Sequence, residues 1–231
     1  MNQKLRPGFT LVELLVVIVI IATLAGLTAP MVLRQRKKAD QTQAINNARQ
    51  IGMALIEFDT EYGSFPDDST ADTVTENTGT TLTFAGGTAN DYFRQLIGAN
   101  ITTSETMFYA KTSYTVKPDD ISNTTEEALK EGEVGFGYII KSGGGGYGTT
   151  GNSGRPVVVS PMMEGSGTEF DPDPFDSKLV MLKVDGSVTT SNIDKDKGTK
   201  MGGKDFFDAS EGSVWGSTGV APEIAEPAPK N

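Results

Sequence analysis

The strongest pattern in the sequence is an apolar run over 9–33, interrupted only by Glu13, three threonines, Gly26 and Pro30. An α-helix rises 1.5 Å per residue, so about 20 apolar residues span a hydrocarbon core of roughly 30 Å. The alternative is a secretory signal peptide, but its apolar region covers only roughly 7–15 residues. The run therefore predicts a transmembrane helix that stays in the protein.

Beyond this run, apolar residues continue at helical spacing. They recur every three or four positions on one face: Ala44, Ala48, Ile51, Leu55, Phe58 and Tyr62. Gly63 is typical of a helix C-cap, and Pro66 cannot continue the helix. The pattern predicts one helix over 9–62, about 80 Å long, loosened at Pro30 and packed on a sheet through its second half.

The rest of the chain, over 63–219, has the mixed pattern of an α+β head. One short helix is predicted at Asp91–Gly98, after Thr88 or Asn90 as its N-cap. A second is predicted from Thr124 to Gly132, because threonine followed three positions later by glutamate is typical of a capping box.

Four runs rich in β-branched and aromatic residues predict strands: Thr106–Val116, Val134–Lys141, Pro156–Met162 and Lys178–Val184. Asp185 and Gly186 predict a tight hairpin turn into a further strand at 187–190. We therefore expect a small antiparallel sheet, laid against the amphipathic half of the long helix.

Two segments have the composition of flexible chain. Residues 142–154 are rich in glycine, and residues 220–231 are rich in proline, alanine and glutamate. Such sequences bury little apolar surface and favour flexible loops or disordered tails. We expect a glycine-rich loop in the head and a flexible tail after it.

Composition narrows the function classes. The chain has 231 residues and a net charge of −10, which argues against a specific nucleic-acid binder, since phosphates require a basic surface. Cysteine and histidine are both absent, so thiolate nucleophiles, imidazole bases and the usual zinc ligands are excluded. The sequence predicts no catalytic site and no enzymatic activity.

One acidic loop could hold a metal ion. It carries four carboxylates at close spacing: Glu169, Asp171, Asp173 and Asp176. Carboxylate oxygens are the ligands that calcium prefers, although the loop lacks the order and the glycine of an EF-hand. The sequence leaves two interpretations open, a calcium site and an ordinary solvated acidic loop.

Glu13 is an anomaly within the apolar run. A carboxylate at the centre of a membrane helix costs about 2.5–3.5 kcal/mol on insertion scales, and such groups usually have a partner. No lysine or arginine lies between Arg6 and Arg34. The partner must come from another chain, from lipid headgroups or from a newly made terminus, unless Glu13 lies close enough to the interface to stay wet.

The start of the chain carries a recognisable motif. Residues 8–13, Gly-Phe-Thr-Leu-Val-Glu, follow a short leader with Lys4 and Arg6 and precede the apolar run. This arrangement resembles the N-terminal signature of type IV prepilins and type II secretion pseudopilins. The resemblance implies that a membrane prepilin peptidase removes residues 1–8 by cutting between Gly8 and Phe9, and that Phe9 becomes N-methylated.

The resemblance also implies roles in assembly. Glu13 would pair with the positive N-terminus of a neighbouring subunit, and Pro30 lies where many family members have a helix-loosening proline. The segment 54–66 resembles the end of the long helix in major pseudopilins, which often bind calcium in a head loop. Beyond this segment the head shows no family motif.

The function implied is structural: after processing, subunits leave the bilayer and stack their apolar helices into a filament. The resemblance favours a type II secretion pseudopilus, with a type IV pilus subunit for adhesion, motility or DNA uptake as an alternative. A membrane-tethered periplasmic binding module that does not polymerise is a third possibility. The implied partners are further copies of the chain, prepilin peptidase, an inner-membrane assembly platform, minor pilins or pseudopilins, and membrane lipid before assembly.

The charge distribution and the family resemblance favour opposite sides of the membrane for the head. Four basic residues follow the span: Arg34, Arg36, Lys37 and Lys38. The positive-inside rule therefore weakly favours a cytoplasmic head. The resemblance implies a single-pass inner-membrane protein with a periplasmic head, followed by a periplasmic or cell-surface filament, and this is the orientation that we expect.

Overall fold

The computed structural model describes residues 9–84, 87–216 and 221–230, and its first element is helix α1, Leu11–Tyr62. The helix begins after Thr10, whose side-chain oxygen accepts a hydrogen bond from the Glu13 N–H at 3.3 Å. It ends at Gly63, which has a φ of 83°, a left-handed conformation that glycine adopts without steric cost. Pro30 lies inside the helix without ending it. The structure thus confirms the predicted long helix.

The described part of the head contains two further helices, a short 3-10 helix and seven strands. The helices are α2 (Asp68–Thr78) and α3 (Ala89–Gly98), and the 3-10 helix is Thr106–Phe108. The strands are β1 (Gly137–Ile140), β2 (Pro156–Ser160), β3 (Lys178–Lys183), β4 (Val188–Asn192), β5 (Lys200–Met201), β6 (Lys204–Asp205) and β7 (Glu223–Ala225). The main sheet is antiparallel in the order β4-β3-β2-β1-β7, and β5 pairs with β6 separately.

The second half of α1 supplies one wall of the core. The predicted apolar stripe packs inward, with Tyr62 partly buried and the five others buried. The helix contacts β3, β4 and the 3-10 helix, and it approaches β3 closely at Gly52. A Cβ atom at Gly52 would lie 2.8 Å from Leu182 Cδ1, so the absence of a side chain permits this approach. The predicted α+β architecture is confirmed.

The hairpin and the α3 helix are also confirmed. Strand β3 pairs with β4 through the turn at Asp185 and Gly186, and Gly186 has a φ of 77°. Helix α3 starts after Thr88, whose hydroxyl and backbone N–H both bond to the Asp91 carboxylate. Thr88 is therefore the N-cap, rather than Asn90.

Two predicted elements are wrong. The segment Thr106–Val116 opens as a 3-10 helix and then runs without regular structure, instead of forming a strand. Its backbone is held by side chains: the Asp120 carboxylate accepts from the N–H groups of Glu105 and Thr106 at 2.8 and 3.3 Å. The segment from Thr124 forms turns rather than a helix. Leu129 there has a φ of 50°, which a right-handed helix does not allow.

The tail differs from the flexible chain expected at 220–231. Glu223–Ala225 forms the edge strand β7, and Ala225 is buried. Beyond it, the Ala228 N–H donates to the Asn90 side-chain oxygen at 2.8 Å, and the Ala228 carbonyl accepts from Gly132 N–H at 2.7 Å. Within 221–230 the backbone is held by partners from α3 and the β1 side of the head.

The glycine-rich loop is likewise packed rather than free. The Phe65 N–H donates to the Tyr147 carbonyl at 2.7 Å, and the Gly146 N–H donates to the Asp67 carboxylate at 2.8 Å. Asp67 is also the N-cap of α2, a helix absent from the sequence prediction, and accepts from the N–H groups of Ser69 and Thr70 at 2.8 and 2.9 Å. One buried carboxylate therefore joins the start of α2 to the glycine-rich loop.

Replacing Asp67 tests this junction. Burial opposes ionisation of Asp67, but hydrogen bonds from Ser69, Gly146 and Thr70 outweigh it and hold the pKa of Asp67 below its usual value. We expect Asp67→Ala to lower the free energy of unfolding by about 1–3 kcal/mol, because a cap is lost and the Gly146 N–H is left without its partner. Chemical denaturation of the full chain in detergent measures this difference.

The stability difference between Asp67→Ala and wild type should depend on pH. A carboxyl group with a lowered folded-state pKa stabilises the protein above its unfolded-state pKa, about 3.9, and that contribution is lost as pH falls through the folded-state pKa. The difference should therefore shrink in acid. Asp72→Ala, at an exposed position of α2, is the matched control and should change stability little at any pH. Equal stability losses in the two variants would contradict the junction.

Candidate assembly site

The N-terminal half of α1 projects from the head as an unpartnered apolar surface. Within the described residues, α1 is the helix that is long and apolar enough to cross a membrane, and none of its apolar stretch is buried against the protein. Leu11 and Leu27 are 79% and 77% exposed. Moving one large aliphatic side chain out of water contributes about 1.5–3 kcal/mol, so a surface of this size requires lipid or protein to cover it.

The threonines in this stretch do not break its apolar character. Thr23 Oγ1 donates to the Ile20 carbonyl at 2.8 Å, and Thr28 Oγ1 donates to the Leu24 carbonyl at 3.0 Å. Both hydroxyl groups are satisfied within the helix, as an apolar environment demands. A Cβ atom placed on Gly26 would meet no other group within 4 Å. Among the described residues, no other group therefore packs against Gly26.

Glu13 lies at the start of α1 and forms a reciprocal capping box with Thr10. Its carboxylate accepts from the Thr10 N–H at 2.9 Å and from the Thr10 hydroxyl at 2.6 Å. These local donors were not predicted, although threonine followed by glutamate three positions later is the signal of this motif. Both donors are neutral, and none of the ion pairs within the ranges that the structure describes includes Glu13. Among the residues that the structure describes, its negative charge has no cationic partner.

The predicted processing junction is only partly visible. Phe9 is 77% exposed and precedes the first residue of α1. Gly8 and the rest of the leader, 1–8, lie outside the described residues. Phe9 and Glu13 are thus placed at one tip of the molecule, at the end of α1 away from the head.

The head is attached to α1 by a buried amide as well as by the apolar stripe. The Asn47 side chain donates to the carbonyls of Thr106 and Tyr109 at 3.0 and 2.7 Å. Asn47 is 6% exposed, so these bonds are made largely away from water. Rotating α1 away from this orientation would break these bonds and leave the buried carbonyl groups unsatisfied, which is costly. The Asn47 bonds therefore fix the rotation of α1 relative to the head.

The acidic loop at 169–176 contacts lysines. Glu169 pairs with Lys197 at 3.0 Å, and Asp173 pairs with Lys37 of α1 at 3.1 Å. Asp171 accepts from the Asp173 N–H at 2.9 Å, and Asp176 has a φ of 54°. These contacts match the interpretation of a solvated acidic loop, and the calcium site of Glu169, Asp171, Asp173 and Asp176 stays a prediction.

A different group of carboxylates has the spacing of metal ligands. Within the described ranges, Glu105, Asp119 and Glu133 each offer one oxygen, and these oxygens lie within 4.8 Å of one another. None of the three was singled out from the sequence, because they are far apart along the chain and follow no ligand motif. Only the fold brings them together.

The chain is similar to known proteins in its N-terminal part. Residues 4–29 match the family described as Prokaryotic N-terminal methylation motif. The chain is 35% identical over 66 residues to type II secretion system core protein G of Aeromonas hydrophila, covering 29% of this chain and 46% of the relative. It is 36% identical over 61 residues to the protein of the same name from Pectobacterium carotovorum subsp. carotovorum, covering 26% and 39%.

A third relative has a similar identity and covers a similar share of the chain. Core protein G of Pseudomonas aeruginosa is 33% identical over 66 residues, covering 29% of this chain and 46% of that protein. The matches span less than half the length of each of these relatives. No solved structure gives a significant match to this chain. The predicted resemblance to prepilins and pseudopilins is thus confirmed for the methylation motif and the start of the chain.

Proposed function

We propose that the protein is the structural subunit of a helical filament, and that the filament is a type II secretion pseudopilus. The observation that carries this proposal is the exposed apolar half of α1, within which the methylation motif is matched and Glu13 forms no ion pair with any described residue. The similarity to type II secretion core protein G favours the pseudopilus over other filaments. The role is structural rather than catalytic.

The physical basis of filament assembly is that the apolar half of α1 must be kept from water both in the membrane and outside it. Before assembly, lipid covers the apolar half of α1, which is long enough to cross the bilayer. When the subunit leaves the membrane, the same side chains would meet water unless other helices replace the lipid. Copies of the same helix are the simplest replacement, because a shifted copy presents the same apolar surface along its whole length.

Glu13 gives the stack its register. Cutting after Gly8 would create a new amine at Phe9, and a methylated amine keeps its positive charge. Within a packed helical core the attraction between this amine and a neighbour's Glu13 is screened far less than in water. The pairing supplies the cation that the isolated subunit lacks, and it displaces one helix along the next by a fixed amount.

The partners follow from this assembly route. Prepilin peptidase would process the leader, an inner-membrane assembly platform would extract the subunit, and minor pseudopilins would join the filament. We place the head in the periplasm, because a filament outside the inner membrane requires it there. The basic residues after the span would then lie at the outer membrane-water interface, against the weak positive-inside preference.

Two alternative functions remain, and only one of them differs from the pseudopilus in how it uses the apolar surface of α1. A type IV pilus subunit would assemble in the same way but extend beyond the cell surface. A membrane-tethered binding module would keep α1 in lipid and would gain nothing from a neighbour's amine at Glu13. Loss of the Glu13 carboxylate therefore separates both kinds of filament from the tethered module.

Removing the carboxylate of Glu13 should impair assembly without impairing insertion. In Glu13→Ala the neighbour's amine loses its partner, whereas the cost of a charge in the membrane is removed. We expect membrane-fraction protein at wild-type level or above, with filament yield reduced at least tenfold. Fractionation and electron microscopy of sheared filaments, in cells that express the secretion machinery, measure the two quantities.

Glu57→Ala is the matched control, since it makes the same change at an exposed position of the same helix, outside the apolar run. It should insert and assemble as wild type does. Filaments of Glu13→Ala that form at wild-type rate and length would show that the pairing is not used.

Processing provides an independent test of the methylation motif. Protein recovered from filaments should begin at Phe9 and carry one added methyl group on its amine. Intact-mass measurement, followed by sequencing of the N-terminal peptide, reads both changes. Assembled material that retains residues 1–8 would contradict the proposal.

A further inference from the structure

A group of carboxylates outside the assembly surface lies between the 3-10 helix and strand β1. Glu105, Asp119 and Glu133 each place one oxygen within 4.8 Å of an oxygen from the other two. The set is separate from the acidic loop at 169–176. It also lies in the head, beyond the segment matched by the methylation motif.

Glu105 has an unsatisfied oxygen in the interior. Its side chain is fully buried, at 0% exposure, and its Oε1 atom accepts from the Leu129 N–H at 2.8 Å. Its Oε2 atom is buried and accepts no hydrogen bond from the described residues. Leaving a buried acceptor without a donor is costly, more so for a charged group. This oxygen therefore requires a proton or a cation as its partner.

Side chains of α3 hold the backbone segment that packs over Glu105. Asn90 donates to the carbonyls of Leu129 and Lys130 at 2.8 and 3.0 Å, which holds the segment that contacts Glu105. Arg94 Nε donates to the Ala128 carbonyl at 2.9 Å. These side chains of α3 fix the Leu129 turn against the head. Glu105 and Glu133 are therefore held inside the head, whereas Asp119 lies at its surface.

Lys130 pairs with only one of the three carboxylates, that of Asp119. Lys130 Nζ contacts Asp119 at 2.6 Å and Glu127 at 2.8 Å. Glu133 is 3% exposed and accepts from the Lys130 backbone N–H at 2.8 Å, not from its ammonium group. No ion pair within the described ranges includes Glu105 or Glu133. Lys130 acts on Glu133 only from a distance, so among the described residues neither buried carboxylate has a cation in direct contact.

Burial and repulsion between carboxylates shift the pKa values of Glu105 and Glu133. Burial raises the pKa of Glu105 to about 7, and the neighbouring carboxylates of Glu133, Asp119 and Asp120 add to the rise that the Leu129 hydrogen bond opposes. Burial also raises the pKa of Glu133.

We propose that Glu105, Asp119 and Glu133 hold a divalent cation of the calcium type. Calcium takes oxygen ligands, accepts carboxylates through one or both oxygens, and adapts to irregular geometry. One doubly charged ion would satisfy the Glu105 Oε2 atom and offset the repulsion between Glu105 and Glu133. Bound there, it would join the 3-10 helix to the loop before β1 and stabilise the head according to its concentration over Kd.

The test is thermal unfolding of the full chain in detergent with Ca²⁺ or with a calcium chelator, at constant ionic strength. At calcium concentrations about 100-fold above Kd, the midpoint should rise by about 5–10 °C. Isothermal titration with CaCl₂ should find a site in the wild type that is missing in Glu105→Gln, and a second site in the acidic loop at 169–176 would be unaffected by that variant. Glu105→Gln and Glu133→Gln should each abolish the rise, while both side chains keep their size and one acceptor oxygen.

Two control variants locate the effect. Glu126→Gln removes an exposed carboxylate close to the group along the chain, and Asp171→Asn removes a carboxylate from the acidic loop at 169–176. Both should retain the full rise in midpoint. A rise that persists in Glu105→Gln, or disappears in Asp171→Asn, would overturn the assignment. A wild type whose midpoint is the same with calcium and chelator would overturn it as well, because the group would then hold a proton.

Discussion

The apolar surface of α1 over 11–33 is the constraint on which the rest of the structure depends. It is too long and too exposed to remain in water, and nothing in the described part of the head covers it. Lipid can cover it in the membrane, and copies of the same helix can cover it in a polymer. A helix that satisfies both environments must be apolar all round, with its polar groups paired internally, as Thr23 and Thr28 are.

The head is built on the same helix, which couples assembly to a soluble fold. After the basic residues, α1 becomes amphipathic and supplies one wall of the core, with Gly52 permitting close contact to β3 and Asn47 bonding the 3-10 helix. The head therefore cannot rotate freely about the helix axis. Any register fixed between neighbouring helices would also fix the positions of the heads on the filament surface.

Local signals explain which elements the sequence could predict. The apolar run, the stripe, Gly63, the Asp185 and Gly186 turn and the branched runs of β2 and β3 each depend on residues close together in the chain. The capping of α1 by Thr10 and Glu13 has a local signal as well, although the sequence analysis did not use it. In these regions propensity, hydrophobic pattern and turn chemistry agree, and agreement across levels is what makes a segment predictable.

The elements that could not be predicted depend on bonds between distant residues. The segment from Thr106 is not a strand because Asp120 caps its start and Asn47 takes its carbonyls. The tail is ordered because Asn90 and β1 bind its backbone. The carboxylates of Glu105, Asp119 and Glu133 meet only after those contacts form. Local composition predicted a strand in the first place and a flexible tail in the second, and bonds from distant side chains determine the observed backbone in both.

The central claim, that neighbouring helices pack with the amine of one beside Glu13 of the next, can be measured directly by disulfide formation. The chain contains no cysteine, so Leu11→Cys and Leu15→Cys can be expressed together on differently tagged copies without background. A shift of four residues, about 6 Å, would bring these positions on adjacent helices within the distance a disulfide spans. The account predicts mixed covalent dimers for this pair on oxidation of filaments, and none when Leu11→Cys is combined with Met53→Cys. Absence of the first product, or equal yields of the two, would contradict it.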